Sequence, residues 1–279
     1  MIIRISQVVI YIFLCFFLRV GPWRYFQLNA RYFNHSKGIF SKLDIDKLIP
    51  KQWRLPQWVD HSGIQPESYP VFLKPEWGQN SKGIQCAHSQ QEFEHLRLLK
   101  PNSNVQYLVQ QGARGKIEYE VFIIPNPSGE RACLSITQVI NHSRQVHPIN
   151  GIYNPETEYL DISDGFDSDQ KQQIFNSLRR IGEFNIARFG LRADSIDAML
   201  AGNFQIIEIN LFFPMPLMLL SKNVSWMNKW SFVFTNMWLL ARVTKAMPDT
   251  YPYKDIFFKK MAFFQHVKDF NKPSASEKS

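Results

Sequence analysis

Two acidic residues in the last third of the chain have a type and spacing that suit metal binding. In the segment GLRADSIDAMLAGNFQIIEIN (190–210), apolar and polar residues alternate on both sides of residues 201–203. This pattern predicts a β-hairpin that turns there. In that hairpin Asp194 lies opposite Glu208 or within one residue of it, and Asn210 shares the face of Glu208. Opposed like charges destabilise a strand pair, and a cation between them removes the repulsion. Asp194, Glu208 and Asn210 offer the oxygen ligands that suit Mg²⁺.

The same strand carries an arginine. Arg192 shares the face of Asp194 in the predicted hairpin, where it can neutralise charge on a phosphoryl group during transfer. The alternative interpretation is a solvated strand face, on which the arginine pairs with a carboxylate and no metal binds.

A second candidate site lies at a lysine. Residues 69–75 read as a buried strand that reaches Lys74, and the loop after it contains Gly78 and Gly83. An ammonium group beside flexible backbone N–H donors suits phosphate binding. Alone, Lys74 can equally be a surface lysine at a strand end. Together with the carboxylates, it favours a nucleotide site.

The elements that must position these residues alternate between strands and helices, which predicts an α+β (α/β) fold. The predicted strands cover 69–75, 83–87, 105–111, 118–124, 131–140 and the hairpin 190–210. The predicted helices run from a capping box at 89–92 to about 100, from a cap at Ser168 to about 189, and over 226–246. Gly190 is expected to end the second of these. A further helix-like stretch covers 255–270, and 141–167 reads as a long loop.

The chain ends and the composition add weaker signals. The 279 residues have a formal net charge of +8, which favours anionic partners such as nucleotide phosphates. The basic residues are scattered and no groove-reading motif is present, so nucleic acid is not expected. The apolar run 8–18 is shorter than a spanning helix requires. It is interpreted as a buried helix, a strand before a turn, or a membrane-dipping anchor. The aromatic and basic residues that follow favour the anchor.

The order of these motifs resembles the ATP-grasp superfamily, particularly the D-alanine–D-alanine ligase-like carboxylate–amine ligases. The similarity covers 69–216 and rests on YPVFLKPEWGQNSKGI, on YLVQQ followed by GARGKIEYEV, and on GLRADSID with GNFQIIEIN. The resemblance implies two α+β subdomains that clasp ATP. It divides the chain into a reduced N-terminal region (1–68), an ATP-grasp domain (69–225) and C-terminal helices with a tail (226–279).

The resemblance also implies a role for each candidate residue. Lys74 would contact the ATP phosphates, and the loop with Ser81 and Gly83 would close over them. Gln110 or Gln111 would contact the adenine, and Glu118 would hold the ribose. Asp194, Glu208 and Asn210 would bind the metal, and Arg192 would contact the transferred phosphoryl group. The metal would be Mg²⁺, with Mn²⁺ as the alternative. An earlier ATP-contacting lysine is also expected, with Lys47 and Lys51 as candidates.

Each of two residue assignments has a simpler alternative. Glu118 can be an exposed strand residue that pairs with Lys116 or Arg114. Gln110 and Gln111 can be ordinary strand positions, with adenine bound by the backbone.

The reaction implied is ATP-driven activation of a small-molecule carboxylate as an acyl phosphate, followed by attack of an amine. The residues after Asn210 are LFFPM (211–215), without the glycine of the family's acceptor loop, so D-alanine is not favoured as substrate. An ATP-binding protein without ligase activity is the alternative. The expected location is the cytoplasm, with peripheral contact to the inner face of the membrane, and a homodimer is compatible with the resemblance.

Overall fold

The computed structural model describes residues 2–60, 63–78, 81–98, 106–248 and 256. Its helices and strands alternate along the chain, and the fold class is α+β, as predicted. The helices are α1 Ile2–Phe17, α2 Lys42–Asp46, α3 Gln90–Leu98, α4 Ser168–Arg179, α5 Ile196–Leu200 and α6 Trp226–Ala246. The strands are β1 Gln57–Val59, β2 Val71–Pro75, β3 Gln85–Ala87, β4 Tyr107–Gln111, β5 Ile117–Pro125, β6 Arg131–Asn141, β7 Thr157–Asp161, β8 Ala187–Ala193 and β9 Phe204–Asn210.

The described strands form two antiparallel sheets with a cavity between them. The first sheet has the order β1-β4-β2-β3, and the second has the order β7-β6-β5-β8-β9. Strand β1 comes from the predicted N-terminal region, so that region contributes to the first sheet. The division into three regions stays a prediction.

Helices cover both faces of the second sheet. On β5, alternate side chains point to opposite faces: Tyr119, Val121 and Ile123 pack in the cluster that contains α4. Phe122 and Ile124 pack in the cluster that contains α1 and α6. The central strand β5 is therefore held from both sides, and its neighbour β8 pairs with it and packs on the α4 side.

Most predicted strands are confirmed within a few residues, and so is the helix over 226–246. Ser89 caps α3 as expected, because its Oγ accepts a hydrogen bond from Glu92 N at 3.2 Å. The Glu92 carboxylate accepts from His88 N instead of from the Ser89 backbone. The predicted end of α3 near residue 100, the predicted start of β4 near 105, and the stretch 255–270 apart from residue 256 lie outside the described residues.

The helix predicted over 168–189 is wrong at both ends. Its N-cap is Asp167, which forms a reciprocal capping box with Gln170, and Ser168 is the first helical residue. The helix ends at Arg179, and residues 187–193 form β8. Gly190, the expected helix terminator, lies in the middle of that strand. Pairing of β8 with both β5 and β9 overrides the helical spacing of the apolar residues.

The predicted hairpin register is also wrong, because a helix interrupts the connection. Ser195 caps α5 by accepting a hydrogen bond from Ala198 N. The turn after it closes with two backbone bonds, Gly202 N to Met199 O and Asn203 N to Ala198 O, which is the Schellman pattern. Strands β8 and β9 still pair, but Glu208 lies opposite Gly190. The predicted loop 141–167 likewise contains β7.

All but the last residue of the apolar run 8–18 lies in α1, so the strand interpretation is wrong. One side of the helix is buried through Ile3, Tyr11 and Cys15 and packs against α6, whereas Val9 and Phe13 are exposed. No described helix combines the length and the apolar character needed to cross a bilayer. Contact of α1 with a membrane surface, the cellular location and a homodimer stay predictions.

Candidate functional site

Lys74 is not a surface lysine. It lies in β2 and is 5% exposed, and its Nζ donates to the Ile207 carbonyl oxygen of β9 at 3.4 Å. Burial, with repulsion from Lys42, lowers the pKa of Lys74 to about 7, although Glu208 and Asp46 act in the opposite direction. A buried lysine on the first sheet thus contacts the second sheet directly.

Glu208 faces that lysine from the second sheet. Its Oε1 lies 3.2 Å from Nζ of Lys42, whose side chain is 11% exposed. Burial acts to raise the pKa of Glu208, but the positive charges of Lys42, Lys74 and Arg188 outweigh it and lower that pKa. Glu208 is therefore held as a carboxylate between cations.

Lys42, rather than Lys47 or Lys51, is the lysine of the N-terminal region that pairs with Glu208. Lys47 pairs with Asp44 and has a side chain that is 60% exposed, and Lys51 is exposed. Both therefore lie outside the charged cluster. Lys42 is the first residue of α2, and Ser41 caps that helix by accepting a hydrogen bond from Asp44 N. The capping serine was the one local signal that could have indicated the position of Lys42.

Two further acidic residues line the cavity from β5. Glu118 accepts a hydrogen bond from Asn150 Nδ2 at 2.9 Å, and burial raises its pKa. Glu120 lies 3.0 Å from Nε of Arg188. Burial raises the pKa of Glu120 to about 7. The charge of Arg188 acts to lower this pKa, and the charges of Glu118 and Glu208 act to raise it. The half-buried position of Glu118 in the cavity wall argues against an exposed residue paired with Lys116 or Arg114.

Glu120 and Arg188 were missed by the sequence reasoning. Arg188 pairs in register with Asn210, and Gly190 pairs with Glu208, so Arg188-Phe189-Gly190 occupies the register expected for residues 192–194. Recognising that Ser195 begins a helix would have shifted the predicted register and shown this. Glu120 gave no signal of its own, because only the pairing of β5 with β8 brings it opposite Gly190.

The structure does not place Asp194 with the other predicted metal ligands. Asp194 follows the last residue of β8 and is exposed, four residues from the partner of Glu208, or roughly 13 Å along the strand. Glu208 and Asn210 both line the cavity, so two members of the predicted trio come together and the third does not.

Arg192 lines the cavity but lies closer to Glu118 than to the Glu208 end of it. It pairs in register with Glu118 on β5 and with Gln205 on β9. Its Nη2 donates to Lys116 O at 3.4 Å, and its charge acts to lower the pKa of Glu118. Arg188 is the arginine that stands beside Glu120 and opposite Asn210.

The glutamines of β4 mark the other edge of the cavity. Gln110 is 3% exposed, and its Nε2 donates to Ile207 O at 3.2 Å, the same carbonyl that Lys74 contacts. Gln111 Nε2 donates to Pro70 O at 3.0 Å. Gln110 therefore braces the two sheets, whereas Gln111 is tied to its own sheet.

The predicted phosphate loop is described on either side of residues 79–80. Ser81 has a positive φ of 59° and lines the cavity, and its Oγ donates to Asn150 O at 2.5 Å. Asn150 in turn holds Glu118. Gly83, with φ of 76°, is absent from the cavity lining of the described residues and supports the turn before β3.

The cavity has a volume of about 1060 Å³. Three carboxylates, Glu118, Glu120 and Glu208, line it together with two arginines, Arg188 and Arg192. Two lysines lie behind this lining: Lys42 pairs with Glu208, and Lys74 donates to the Ile207 carbonyl oxygen. Within the described ranges no three His, Cys, Asp or Glu side chains are arranged to hold a metal ion. The donor set nevertheless fits Mg²⁺ delivered with a nucleotide, because that ion typically uses one or two protein carboxylates together with substrate phosphates.

Comparison with known proteins gives a similarity of fold. No protein-family model matches the sequence, and no curated relative was found. The VanG D-Ala:D-Ser ligase from Enterococcus faecalis is 13% identical, with a TM-score of 0.49 over 73% of this chain and 61% of that chain. The D-alanine–D-alanine ligase from Bacillus anthracis is 10% identical, with a TM-score of 0.48 over 80% and 69%.

An L-amino acid ligase from Bacillus licheniformis is 17% identical, with a TM-score of 0.46 over 72% of this chain and 47% of that chain. The chain thus spans less than two thirds of the first of these ligases and less than half of the third.

Proposed function

We propose that this protein is an ATP-grasp enzyme that uses Mg-ATP to activate a carboxylate as an acyl phosphate, which an amine then attacks. In this proposal residues 69–225 form the ATP-grasp unit, and the regions 1–68 and 226–279 flank it. The observation that carries the proposal is the convergence of Lys74 on one sheet and Glu208 on the other: Lys74 donates to the carbonyl of Ile207, the residue before Glu208, and Glu208 lines the cavity. The sequence motifs of both strands suggested nucleotide binding before the structure brought them together.

The charges along the cavity suit a nucleotide. Glu118, held by Asn150, would accept hydrogen bonds from the ribose hydroxyls, and the strand edge at Gln110 and Gln111 would border the adenine. Lys74 and Lys42 would meet the phosphates. A phosphate close to Lys74 would favour the charged ammonium that burial disfavours. Nucleotide binding would therefore be coupled to protonation of this buried lysine.

Glu208 and Asn210, with Glu120 across β8, are the residues that would hold the metal. A bound Mg²⁺ supplies positive charge that neutralises the phosphates during transfer. The residues of the chain itself act by position and charge: Arg188 and Lys42 balance the carboxylates when no nucleotide is bound, and Arg192 lies further along the same cavity.

The reaction needs no covalent bond to the protein. A carboxylate oxygen attacks the γ-phosphorus, the bond from that phosphorus to the bridging oxygen breaks, and ADP leaves. The amine nitrogen then attacks the acyl carbon, the carbon–oxygen bond to phosphate breaks, and the nitrogen loses a proton. The products are an amide, ADP and inorganic phosphate.

ADP release by purified protein with pooled carboxylates and amines tests this proposal. Glu208→Gln should reduce release at least tenfold, because it removes the carboxylate beside both lysines. Asp194→Asn is the matched control, since it makes the same type of change at an exposed position outside the cavity, and it should release ADP like the wild type. Equal release by wild type and Glu208→Gln would reject catalysis at this site.

A second candidate, a nucleotide-binding protein without ligase activity, is favoured by one observation. Gly190 gives no carboxylate at the position opposite Glu208, and Asp194 lies outside the cavity. Calorimetric binding of Mg-ATP without ADP release against any pool would favour this candidate. Absence of Mg-ATP binding would remove both.

A further inference from the structure

The cavity changes character along one face of the second sheet. On β5, side chains on the cavity face run from Glu118 and Glu120 to Phe122. On the neighbouring β8 side, Arg192 and Arg188 line the charged part, and Ile186, just before β8, lines the part beyond it. The charged end described above therefore opens directly into an apolar chamber.

The chamber is built by α1, α6 and the segments that follow α1 and β9. Its walls include Tyr11, Tyr25, Phe213, Met215, Met237 and Leu240. The LFFPM segment, which departs from the acceptor loop of the resembled ligases, thus contributes directly to the wall.

Phe213 is held in a conformation that bulky residues rarely adopt. Its φ is 50°, which lies in the left-handed region. Its ring stacks on Tyr25 at a centroid distance of 4.5 Å, and the Tyr25 hydroxyl hydrogen-bonds to the Phe213 backbone. Such a conformation persists where the surroundings enforce it, commonly at ligand sites.

The mouth of the chamber is apolar as well. Val8, Ile12 and Trp23 line the cavity and are 46%, 38% and 49% exposed. An apolar body can therefore enter without crossing charged groups.

The inner end carries groups that suit a carboxylate. Arg188 and Asn210 are directly paired on β8 and β9, and both line the cavity. The buried Asn210 Nδ2 has no hydrogen-bond partner among the described residues. A carboxylate placed there would accept from the amide and interact with the guanidinium, within the cluster that includes Lys74 and Glu208.

We propose that the chamber binds the apolar body of a monocarboxylic acid and holds its carboxylate at Arg188 and Asn210. The inference rests on the proposed function, for which it names the class of acid that is activated. The volume of about 1060 Å³ stands at the upper end of the roughly 300–1,000 Å³ of small-molecule pockets, which suits an apolar acid bound beside a nucleotide.

Binding of acetate, hexanoate and decanoate to the full chain without nucleotide tests the inference, with each acid kept below its micelle concentration. Affinity should rise along the series, by up to roughly fourfold for each methylene buried. Decanol should bind at least tenfold more weakly than decanoate, because it lacks the charge that Arg188 meets.

Neighbouring positions on α1 provide a matched pair of variants. Val8→Asn adds an amide at the mouth of the chamber, whereas Val9→Asn adds it at a 59% exposed position outside the cavity lining. Val8→Asn should weaken decanoate binding at least threefold and leave acetate unchanged, and Val9→Asn should behave like the wild type. Both positions are partly exposed, and circular dichroism checks that both variants fold.

Three results would overturn the inference: no rise in affinity with chain length, equal binding of decanol and decanoate, or equal losses in the two variants. Mg-ATP binding is measured separately by calorimetry. If the protein does not bind Mg-ATP but its affinity for acids still rises with chain length, the proposed function is rejected and the apolar acid site remains. Mg-ATP binding together with no dependence of acid affinity on chain length would reject only the inference.

Discussion

Gly190 lies directly opposite Glu208 on β9 and opposite Glu120 on β5. The central position among the carboxylates therefore has no side chain. A Cβ at Gly190 would lie 3.3 Å from Glu120 Oε1, which is the far end of a flexible side chain, so a substitution there can be accommodated. The present site gathers its carboxylates from the two strands that flank β8.

Adding a carboxylate at this centre should strengthen metal binding. Gly190→Asp places a third acidic group between Glu120 and Glu208, and mutual repulsion falls when a divalent cation binds. We expect millimolar Mg²⁺ without nucleotide to raise the melting temperature of this variant by a few degrees more than that of the wild type. Gly190→Ala is the control and should respond like the wild type. An equal response of all three proteins would show that these carboxylates do not meet at a cation.

Lys74 and Lys42, the two lysines near Glu208, should each be needed for nucleotide binding. Lys74→Met and Lys42→Met remove charge beside Glu208 and should weaken Mg-ATP binding at least tenfold, or by about 1.4 kcal/mol. Lys47→Met makes the same change on an exposed side chain and should bind normally. Calorimetric titration measures all three. A loss with Lys47→Met equal to that with Lys42→Met would mean that the effect comes from net charge.

The sequence predicted the residues whose surroundings are local. Lys74 lies on a strand with its own apolar pattern, and Glu208 and Asn210 lie on a strand with clear alternation, so both strands were confirmed. The roles of the three residues stay predictions. The error over Asp194 arose because α5 occupies the connection that was read as strand. Its signals, Ser195 as N-cap and Gly202 after the last turn, are local and were present in the sequence.

Other members of the cluster depend on long-range pairing. Lys42 reaches Glu208 because α2 packs against β9, and Glu120 and Arg188 meet through the pairing of β5 with β8. A one-residue shift between Gly190 and Leu191 in the β8–β9 register changes which side chains share the cavity face. Periodicity within one segment contains no information on such a shift.

Burial of Lys74 should make stability rise with pH on the alkaline side. Its pKa is about 7 in the folded protein against 10.5 for an ordinary lysine, so between these values the unfolded chain binds more protons than the folded one. The free energy of unfolding should therefore increase with pH in this window, by up to about 1.4 kcal/mol per unit. Denaturant titration of the nucleotide-free protein from pH 7 to 10 measures the slope. Lys74→Met should flatten it, whereas an unchanged slope would contradict the burial of this ammonium. Lys47→Met, a change at an exposed lysine, should keep the slope of the wild type.

Glu120 should act in the opposite direction below neutral pH. Its pKa is raised from 4.5 to about 7 in the folded protein, so the folded chain binds more protons than the unfolded one in that window. Stability from this group is fully present below pH 4.5 and is lost as the pH rises through 7. Glu120→Gln should therefore reduce the decline measured by urea titration between pH 5 and 7. Glu156→Gln, at an exposed position, should leave it intact, and an equal effect of both variants would reject the assignment to Glu120.

The turn after α5 determines how β9 returns to the cavity, and its glycine can be tested alone. Gly202 has φ of 78°, and a Cβ there would meet no atom within 4 Å, so Gly202→Ala introduces backbone strain without a clash. We expect a loss of about 1 kcal/mol in the free energy of unfolding. Gly165→Ala is the matched control, because its Cβ would also meet nothing but its φ is not positive, and it should be neutral or slightly stabilising. Chemical denaturation of both variants separates the two effects. Equal stabilities would mean that residues 199–203 do not close the left-handed turn that ends α5 and begins β9.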